Sequence, residues 1–187
     1  MRNTPSLLLT SMLLTLASCE SQKDEAAAAS YYPALSVIWE ETKALDTLPL
    51  AVIRYREIGT AADTAIVEKS AFRESALKAL GPDISKPPLS KLYREEVFMD
   101  GTLGRVVIRY QTEDPDAEIR LLELTLDPDR EKVKSVYVEK TGRSGDTLLT
   151  AKTLWTVGRQ YQTNLIRRVG EVPLPPVRER YVWGLEP

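Results

Sequence analysis

The sequence contains no histidine and a single cysteine among its 187 residues. Histidine is the commonest general base and the commonest metal ligand in proteins, so its absence weighs against acid–base and metal-dependent catalysis. One cysteine excludes an intramolecular disulfide. The formal charge is −2 at pH 7, whereas nucleic-acid-binding domains are strongly basic. We therefore expect no catalytic residue, no cofactor, no metal and no nucleic-acid partner.

An apolar stretch runs from Ser6 to Ala17 and is preceded by Arg2. The stretch holds about a dozen residues, whereas a helix that crosses a bilayer needs about 20. A positive residue followed by a short apolar stretch is typical of an export signal. The rest of the chain has the mixed composition of a globular protein, with 43% hydrophobic and 28% charged residues overall, and its length suits one domain.

The lone cysteine directly follows this stretch, in the sequence Leu16-Ala17-Ser18-Cys19. These residues resemble the lipobox of bacterial lipoproteins, in which a leucine and two small residues precede the cysteine that is lipidated. The resemblance implies cleavage before Cys19 and attachment to a membrane through lipid on Cys19. Acylation would also explain a lone cysteine in an exported protein. The alternative is an ordinary secretory signal with a cysteine near its cleavage site by chance.

The resemblance divides the chain into a signal peptide over 1–18, a lipidated flexible tether over 19–34 and one globular domain over 35–187. Residues 23–25, Lys-Asp-Glu, resemble the signal that sends some lipoproteins to the outer face of the outer membrane, although that signal usually lies closer to the cysteine. A charged, solvated start to the tether is the alternative. We expect an outer-membrane lipoprotein of the cell envelope, facing either the periplasm or the surface.

Hydrophobic spacing predicts two helices in the first half of the domain. Apolar residues recur at helical intervals over 35–45, and Phe72, Ala76 and Leu80 form a second stripe that ends at Gly81. Residues between the two helices are rich in β-forming side chains and are compatible with a hairpin, which the sequence leaves open.

From about residue 90 the hydrophobic period changes from helical to two, which is typical of β-strands. Strands are predicted over 91–98, 105–111, 118–126, 133–140, 147–156, 159–168 and 177–183. The connections are short and rich in Asp, Pro and Gly, so neighbouring strands should be antiparallel. The predicted fold class is α+β, with one or two N-terminal helices followed by a six- or seven-stranded antiparallel β meander.

Two short motifs resemble those of penicillin-binding enzymes and serine β-lactamases, in which a lysine activates a serine nucleophile. Ser75 and Lys78 match Ser-x-x-Lys, and residues 140–142 match Lys-Thr-Gly. The chain is shorter than that fold requires, no Ser-Asp-Asn lies between the motifs, and Ser75 falls inside a predicted helix. We interpret both motifs as chance occurrences.

Two acidic segments, 114–118 and 127–131, alternate carboxylates as calcium-binding loops do. The second segment has Lys132 where such a loop needs glycine and Val138 where it needs a bidentate glutamate. In the first, Thr125 stands at that last position. We predict hairpin turns in which aspartates accept hydrogen bonds from the backbone, and no metal site.

The predicted strand over 159–168 has polar residues on both faces. This pattern suits an edge strand, either solvated or facing a partner. Tyrosine and arginine carry much of the binding energy at interfaces, so we predict that Arg159 and Tyr161 contact a partner.

The order of a helix, a meander and a terminal Val-Trp resembles small uncharacterised lipoproteins of Gram-negative envelopes. That resemblance implies no activity. We expect a membrane-anchored, non-catalytic module that binds an envelope partner or has a structural role. The alternative is a carrier or sensor of an apolar small ligand, held between a helix and a curved sheet. A carrier should contain an apolar cavity, whereas a partner-binding module should expose an apolar patch or an open sheet edge.

Overall fold

A computed structural model describes residues 31–102, 104–129 and 132–184 of the chain. The described part holds two α-helices, α1 (Ala34–Thr47) and α2 (Lys69–Leu80), and one short 3-10 helix (Leu89–Leu92). The strands are β1 (Val52–Ile58), β2 (Ala61–Val67), β3 (Arg94–Asp100), β4 (Arg105–Gln111), β5 (Ile119–Asp127), β6 (Lys132–Ser144), β7 (Thr147–Thr156), β8 (Gln160–Val169), β9 (Val172–Pro173) and β10 (Val177–Val182).

All ten described strands belong to one antiparallel sheet, in the order β2-β1-β10-β8-β7-β6-β5-β4-β3, with β9 paired to β8. The α+β class is confirmed. The expected number of six or seven strands is wrong, because the hairpin β1–β2 joins the same sheet through β10 and because β9 adds a two-residue strand. The strand order therefore departs from a simple meander where β10 inserts between β8 and β1.

The two helices bury apolar stripes at the predicted spacing. Their buried side chains are Ala34, Ile38, Thr42 and Leu45 in α1 and Phe72, Ala76 and Leu80 in α2. Both stripes contribute to one core with the apolar face of the sheet, which places both helices on that face. No helix in the described part of the chain is long and apolar enough to span a membrane.

The folded domain begins earlier than the predicted boundary at residue 35. The Tyr31 hydroxyl lies 2.7 Å from the carbonyl oxygens of both Ser90 and Tyr93, which share its one proton, and its ring packs edge-on against Tyr110. The backbone N–H of Tyr32 donates to the Tyr110 hydroxyl at 2.8 Å. Residues 31–34 therefore belong to the domain, and the prediction of a flexible tether is wrong for them.

A partly buried carboxylate links α1 to the sheet. Glu41 accepts hydrogen bonds from the indole N–H groups of Trp155 at 2.7 Å and Trp183 at 3.1 Å, and from the backbone N–H of Gly158 at 2.5 Å.

A Cβ on Gly184 would lie 2.2 Å from the carbonyl oxygen of Gly158, so glycine is required where the segment after β10 approaches this turn.

Candidate functional site

A cavity of about 570 Å³ lies between α2 and the apolar face of the sheet. Its volume falls in the range of small-molecule binding sites. The helix contributes Ser75, Lys78 and Ala79 to its wall, and the sheet and its connections contribute Arg56, Glu118, Lys140, Thr141, Gly142, Leu149, Ala151, Tyr161, Thr163, Leu165, Arg167, Val177 and Glu179. The wall therefore combines apolar, hydroxyl and charged groups.

Strand β8 runs from the sealed core into this cavity. Because side chains on a strand alternate between faces, Tyr161, Thr163, Leu165 and Arg167 share the face that α2 covers. Tyr161 is 1% exposed and lies between the rings of Trp155 and Tyr181, with centroid distances of 5.1 and 4.7 Å. The cavity begins where these aromatic rings end.

Small side chains leave the space open. In the sheet register, Ala151 of β7 lies opposite Leu165 of β8, and Gly142 of β6 lies opposite Leu149 of β7. On the helix side, Ala79 contributes a further small side chain to the wall. Four residues further along β7 from Ala151, on the same face of the sheet, Trp155 lies opposite Tyr161. Their large rings fill the space over this part of the sheet, whereas the small side chain of Ala151 leaves the space over its own part open.

Helix α2 presents two adjacent stripes to the sheet. Phe72 and Ala76 are completely buried in the core, whereas Ser75 and Lys78 face the cavity. Residues three or four apart lie on one helix face, so both stripes repeat at the helical interval. Gly81 ends the helix with a positive φ of 81°.

Two ion pairs lie in the cavity wall. Lys140 Nζ is 3.0 Å from Glu118 Oε1 and also donates to the Lys78 carbonyl oxygen at the end of α2, at 2.6 Å. Arg56 Nε is 3.1 Å from Glu179 Oε1, close enough for an ion pair although the N–H is not aligned for a hydrogen bond. Lys140 thereby joins α2 to the sheet, and the Arg56–Glu179 pair links the neighbouring strands β1 and β10.

Two further cations in the wall have no carboxylate partner among the described residues: Lys78 and Arg167. Arg167 donates from Nη2 to the Pro175 carbonyl oxygen at 3.0 Å, while its Nε is buried without a hydrogen-bond partner in the described part of the chain. The wall thus carries four cations against two carboxylates, and its net charge is positive.

The structure brings the Ser-x-x-Lys and Lys-Thr-Gly residues to the same cavity, which the sequence did not indicate. Ser75 Oγ accepts a hydrogen bond from the Tyr161 hydroxyl at 2.9 Å and donates to the Tyr181 hydroxyl at 3.1 Å. Burial raises the pKa of Tyr161 well above its usual value, so this phenol stays protonated and donates to Ser75 instead of accepting its proton. The hydroxyl network instead closes the aromatic end of the cavity.

Of the two residues predicted to contact a partner, Tyr161 is misassigned. It is buried in the core, and β8 lies between β10 and β7 rather than at an edge of the sheet. The prediction of an outward-facing Tyr161 is wrong because its strand face is covered by α2. Arg159 is exposed in the turn before β8, and its role in partner binding stays a prediction.

Some of the remaining predicted features lie outside the described residues, namely Cys19 and the predicted signal peptide. In both acidic segments an aspartate accepts a hydrogen bond from the backbone N–H two residues later, as predicted: Asp114 from Asp116 at 2.9 Å and Asp127 from Asp129 at 3.2 Å. Within the described ranges, no group of three or more potential acidic or cysteine ligands could hold a metal ion.

The sequence interpretation missed the cavity residues of β8. Thr163 and Leu165 follow Tyr161 at intervals of two, and this alternation was the available signal of a covered face. Arg167 ends the series with a charge, which obscured that signal. Nothing in the sequence around Arg56 indicated that β1 would reach the same cavity.

Comparison with protein-family models, with curated proteins and with solved structures finds no match for this chain.

Proposed function

We propose that this protein is a membrane-anchored, non-catalytic binding protein that holds a small amphiphilic ligand in the cavity between α2 and the sheet. The cavity itself is the observation that carries the proposal, because it opens to solvent and its volume of about 570 Å³ lies in the range of small-molecule binding sites. Its wall is mainly apolar at Leu149, Leu165 and Val177, with polar groups around them. Sites for small molecules commonly combine an apolar wall with a few polar groups.

A cavity-filling substitution tests the proposal. The purified full chain is titrated with the neutral apolar dye phenylnaphthylamine, whose fluorescence rises in apolar surroundings. Ala151→Phe places a ring beside Leu165 and should weaken dye binding about tenfold or more because it occupies the ligand's volume. Ala62→Phe is the matched control, since Ala62 is exposed on β2 and does not line the cavity.

Comparison between these two variants removes the background, because dye that partitions into lipid or detergent does so equally in both preparations. Weakened binding in Ala151→Phe with unchanged binding in Ala62→Phe supports the proposal. Equal binding by the two variants, or no saturable binding by the unsubstituted chain, would show that the cavity does not hold ligands.

The membrane anchor is a separate part of the proposal and depends on the lipobox resemblance. The mature protein should begin at Cys19, incorporate a labelled fatty-acid analogue and sediment with membranes. Cys19→Ala should abolish labelling and leave the precursor uncleaved or release the protein. An unlabelled mature chain that starts at another residue would refute the anchor without affecting the cavity.

A second candidate function is self-association in the envelope through β3, which lies at the edge of the sheet. Its side chains Val97, Phe98 and Met99 are 59%, 40% and 58% exposed. Exposed apolar edge strands can pair with another strand. Antiparallel pairing of two copies about Val97 would place Arg94 of each copy opposite Asp100 of the other, so opposite charges would meet at both ends.

Substitutions at the two sheet edges test this candidate. Val97→Lys places like charges at the centre of the paired strands and should abolish dimers. Ile66→Lys, on the opposite edge strand β2, is the control because its side chain is also exposed. Analytical ultracentrifugation should detect dimers of the unsubstituted chain and of Ile66→Lys. Monomers in all three samples would contradict self-association.

A further inference from the structure

We propose that the ligand of this cavity carries an anionic head group, a carboxylate or a phosphate, on an apolar chain, and that Lys78 and Arg167 recognise that group. The inference rests on the proposed ligand-binding function and specifies its ligand class. It starts from the mixture of charges and apolar groups in the cavity wall.

The net positive charge of the cavity wall favours a negatively charged head group. Glu118 and Glu179 are each engaged by a cation, which leaves Lys78 and Arg167 without a carboxylate among the described residues. The buried Nε of Arg167 has no hydrogen-bond partner in the described ranges. An anion bound beside Arg167 would accept a charge-assisted hydrogen bond from this N–H.

The shape of the guanidinium group suits the same ligand class. Arginine binds carboxylates and phosphates through parallel N–H donors, and these charge-assisted hydrogen bonds are stronger than neutral ones. One nitrogen of Arg167, Nη2, is held by the Pro175 carbonyl oxygen. That hydrogen bond fixes the side chain and leaves the remaining donors for a ligand.

Apolar residues in the same wall favour a ligand that carries an apolar chain in addition to its anionic group. Leu149 lies directly across the sheet register from Arg167, and Leu165 is the next residue of β8 on the same face. Ala151 and Val177 lie on either side of Leu165. An amphiphile could therefore place its head group at Arg167 while its chain lies against these aliphatic side chains.

Displacement of phenylnaphthylamine from the full chain tests the ligand class. Four probes share one alkyl chain: dodecanoate, dodecyl phosphate, dodecanol and dodecyltrimethylammonium. We expect the two anionic probes to compete at concentrations roughly tenfold or more below the neutral and cationic probes. Inorganic phosphate alone should not displace the dye. The better of the two anionic probes identifies the carboxylate or the phosphate as the preferred head group.

Charge-removing variants assign the recognition to residues. Lys78→Gln and Arg167→Gln should each weaken the anionic probes roughly five- to tenfold while leaving dodecanol unchanged. Lys43→Gln is the control, since Lys43 is exposed on α1 and does not line the cavity. Circular dichroism establishes that each variant is folded. Added salt should weaken the anionic probes selectively.

The outcomes separate the two levels of the proposal. If all four alkyl probes displace the dye equally, or if Lys78→Gln and Arg167→Gln behave like Lys43→Gln, the head-group inference is wrong while the cavity remains a binding site. If inorganic phosphate competes as well as dodecyl phosphate, the apolar part of the inference is wrong. If no probe binds, the proposed function itself fails.

Discussion

The two ends of the sheet face beneath α2 differ in how completely they are filled. At one end, Phe72 packs within 6.1 Å of Trp155, Tyr161, Tyr181 and Trp183, measured between ring centroids. At the other end the same strands β7 and β8 line a cavity. The backbone register is continuous between them, so the difference arises from side-chain size and charge rather than from strand geometry.

If the cavity binds a ligand as proposed, stability and binding are carried by different residues of the same strands. The aromatic end buries large side chains and their polar atoms find partners, as Glu41 and Ser75 show. The cavity end leaves apolar surface and the cations of Lys78 and Arg167 available to a ligand. Substitutions at the aromatic end should therefore change folding, and those at the cavity end should change binding.

The largest effect is expected from Tyr161→Ala. Removal of a buried aromatic ring typically costs about 3–5 kcal/mol of the unfolding free energy, because the lost contacts and the resulting void add together. Urea denaturation followed by tryptophan fluorescence measures it. Tyr161→Phe keeps the ring and loses the hydrogen bond to Ser75, so it should cost only about 1 kcal/mol. A Tyr161→Ala protein as stable as the unsubstituted chain would show that the aromatic end is not the stabilising region.

The next largest effect is expected at Glu41, whose titration makes the free energy of unfolding depend on pH. Burial raises the pKa of Glu41 above its usual value, although hydrogen bonds from Trp155, Gly158 and Trp183 act in the opposite direction. The Glu41 carboxylate therefore binds a proton more readily in the folded protein than in the unfolded chain. The corresponding stabilisation is fully present below the unfolded pKa of Glu41 and is lost as pH rises through the raised folded pKa.

Glu41→Gln removes this titration and should cost about 1–3 kcal/mol, since one of the two accepting oxygens becomes an amide NH2 that cannot accept a hydrogen bond from the N–H groups around it. The stability advantage of the unsubstituted chain over Glu41→Gln should shrink as pH is raised from about 4 towards 7. Denaturation series at several pH values measure it. Glu40→Gln, at an exposed neighbouring position of α1, is the control. An advantage that grows with pH would mean that the folded state favours the charged carboxylate.

A smaller change in stability is expected at the cavity end, from Leu165→Ala. Leu165 is half-buried and already borders an open space, so its truncation should cost clearly less than Tyr161→Ala, about 1 kcal/mol. Binding of phenylnaphthylamine should weaken at the same time because an apolar wall is lost. Thermal denaturation and dye titration of one preparation measure both quantities. A large loss of stability would contradict the division between the two ends.

The smallest effect is expected from Arg159→Ala. Arg159 is exposed in the turn before β8, and exposed substitutions usually change stability by less than about 0.5 kcal/mol. It does not line the cavity, so dye binding should also be unchanged. Thermal denaturation and titration measure these quantities. A clear loss of dye binding would extend the binding region beyond the cavity end.

The sequence by itself determined the local features of this fold. Apolar residues at helical intervals predicted both helices, and alternation with a period of two predicted seven strands that match β3–β8 and β10 closely. The aspartates at 114 and 127 predicted turns that the structure confirms. These features depend on backbone preferences and on neighbours a few residues apart, which a sequence displays directly.

Only the tertiary structure decided which faces meet and what remains between them. Tyr161 is buried because α2 covers its side of β8, and Ser75 meets it from 86 positions away in the chain. Glu41 and Trp155 are 114 positions apart. The cavity exists because Ala79, Gly142 and Ala151 converge from three elements. Such long-range pairings depend on strand order and on the packing of α2, and a pattern read along one segment carries no information about the segment that will face it.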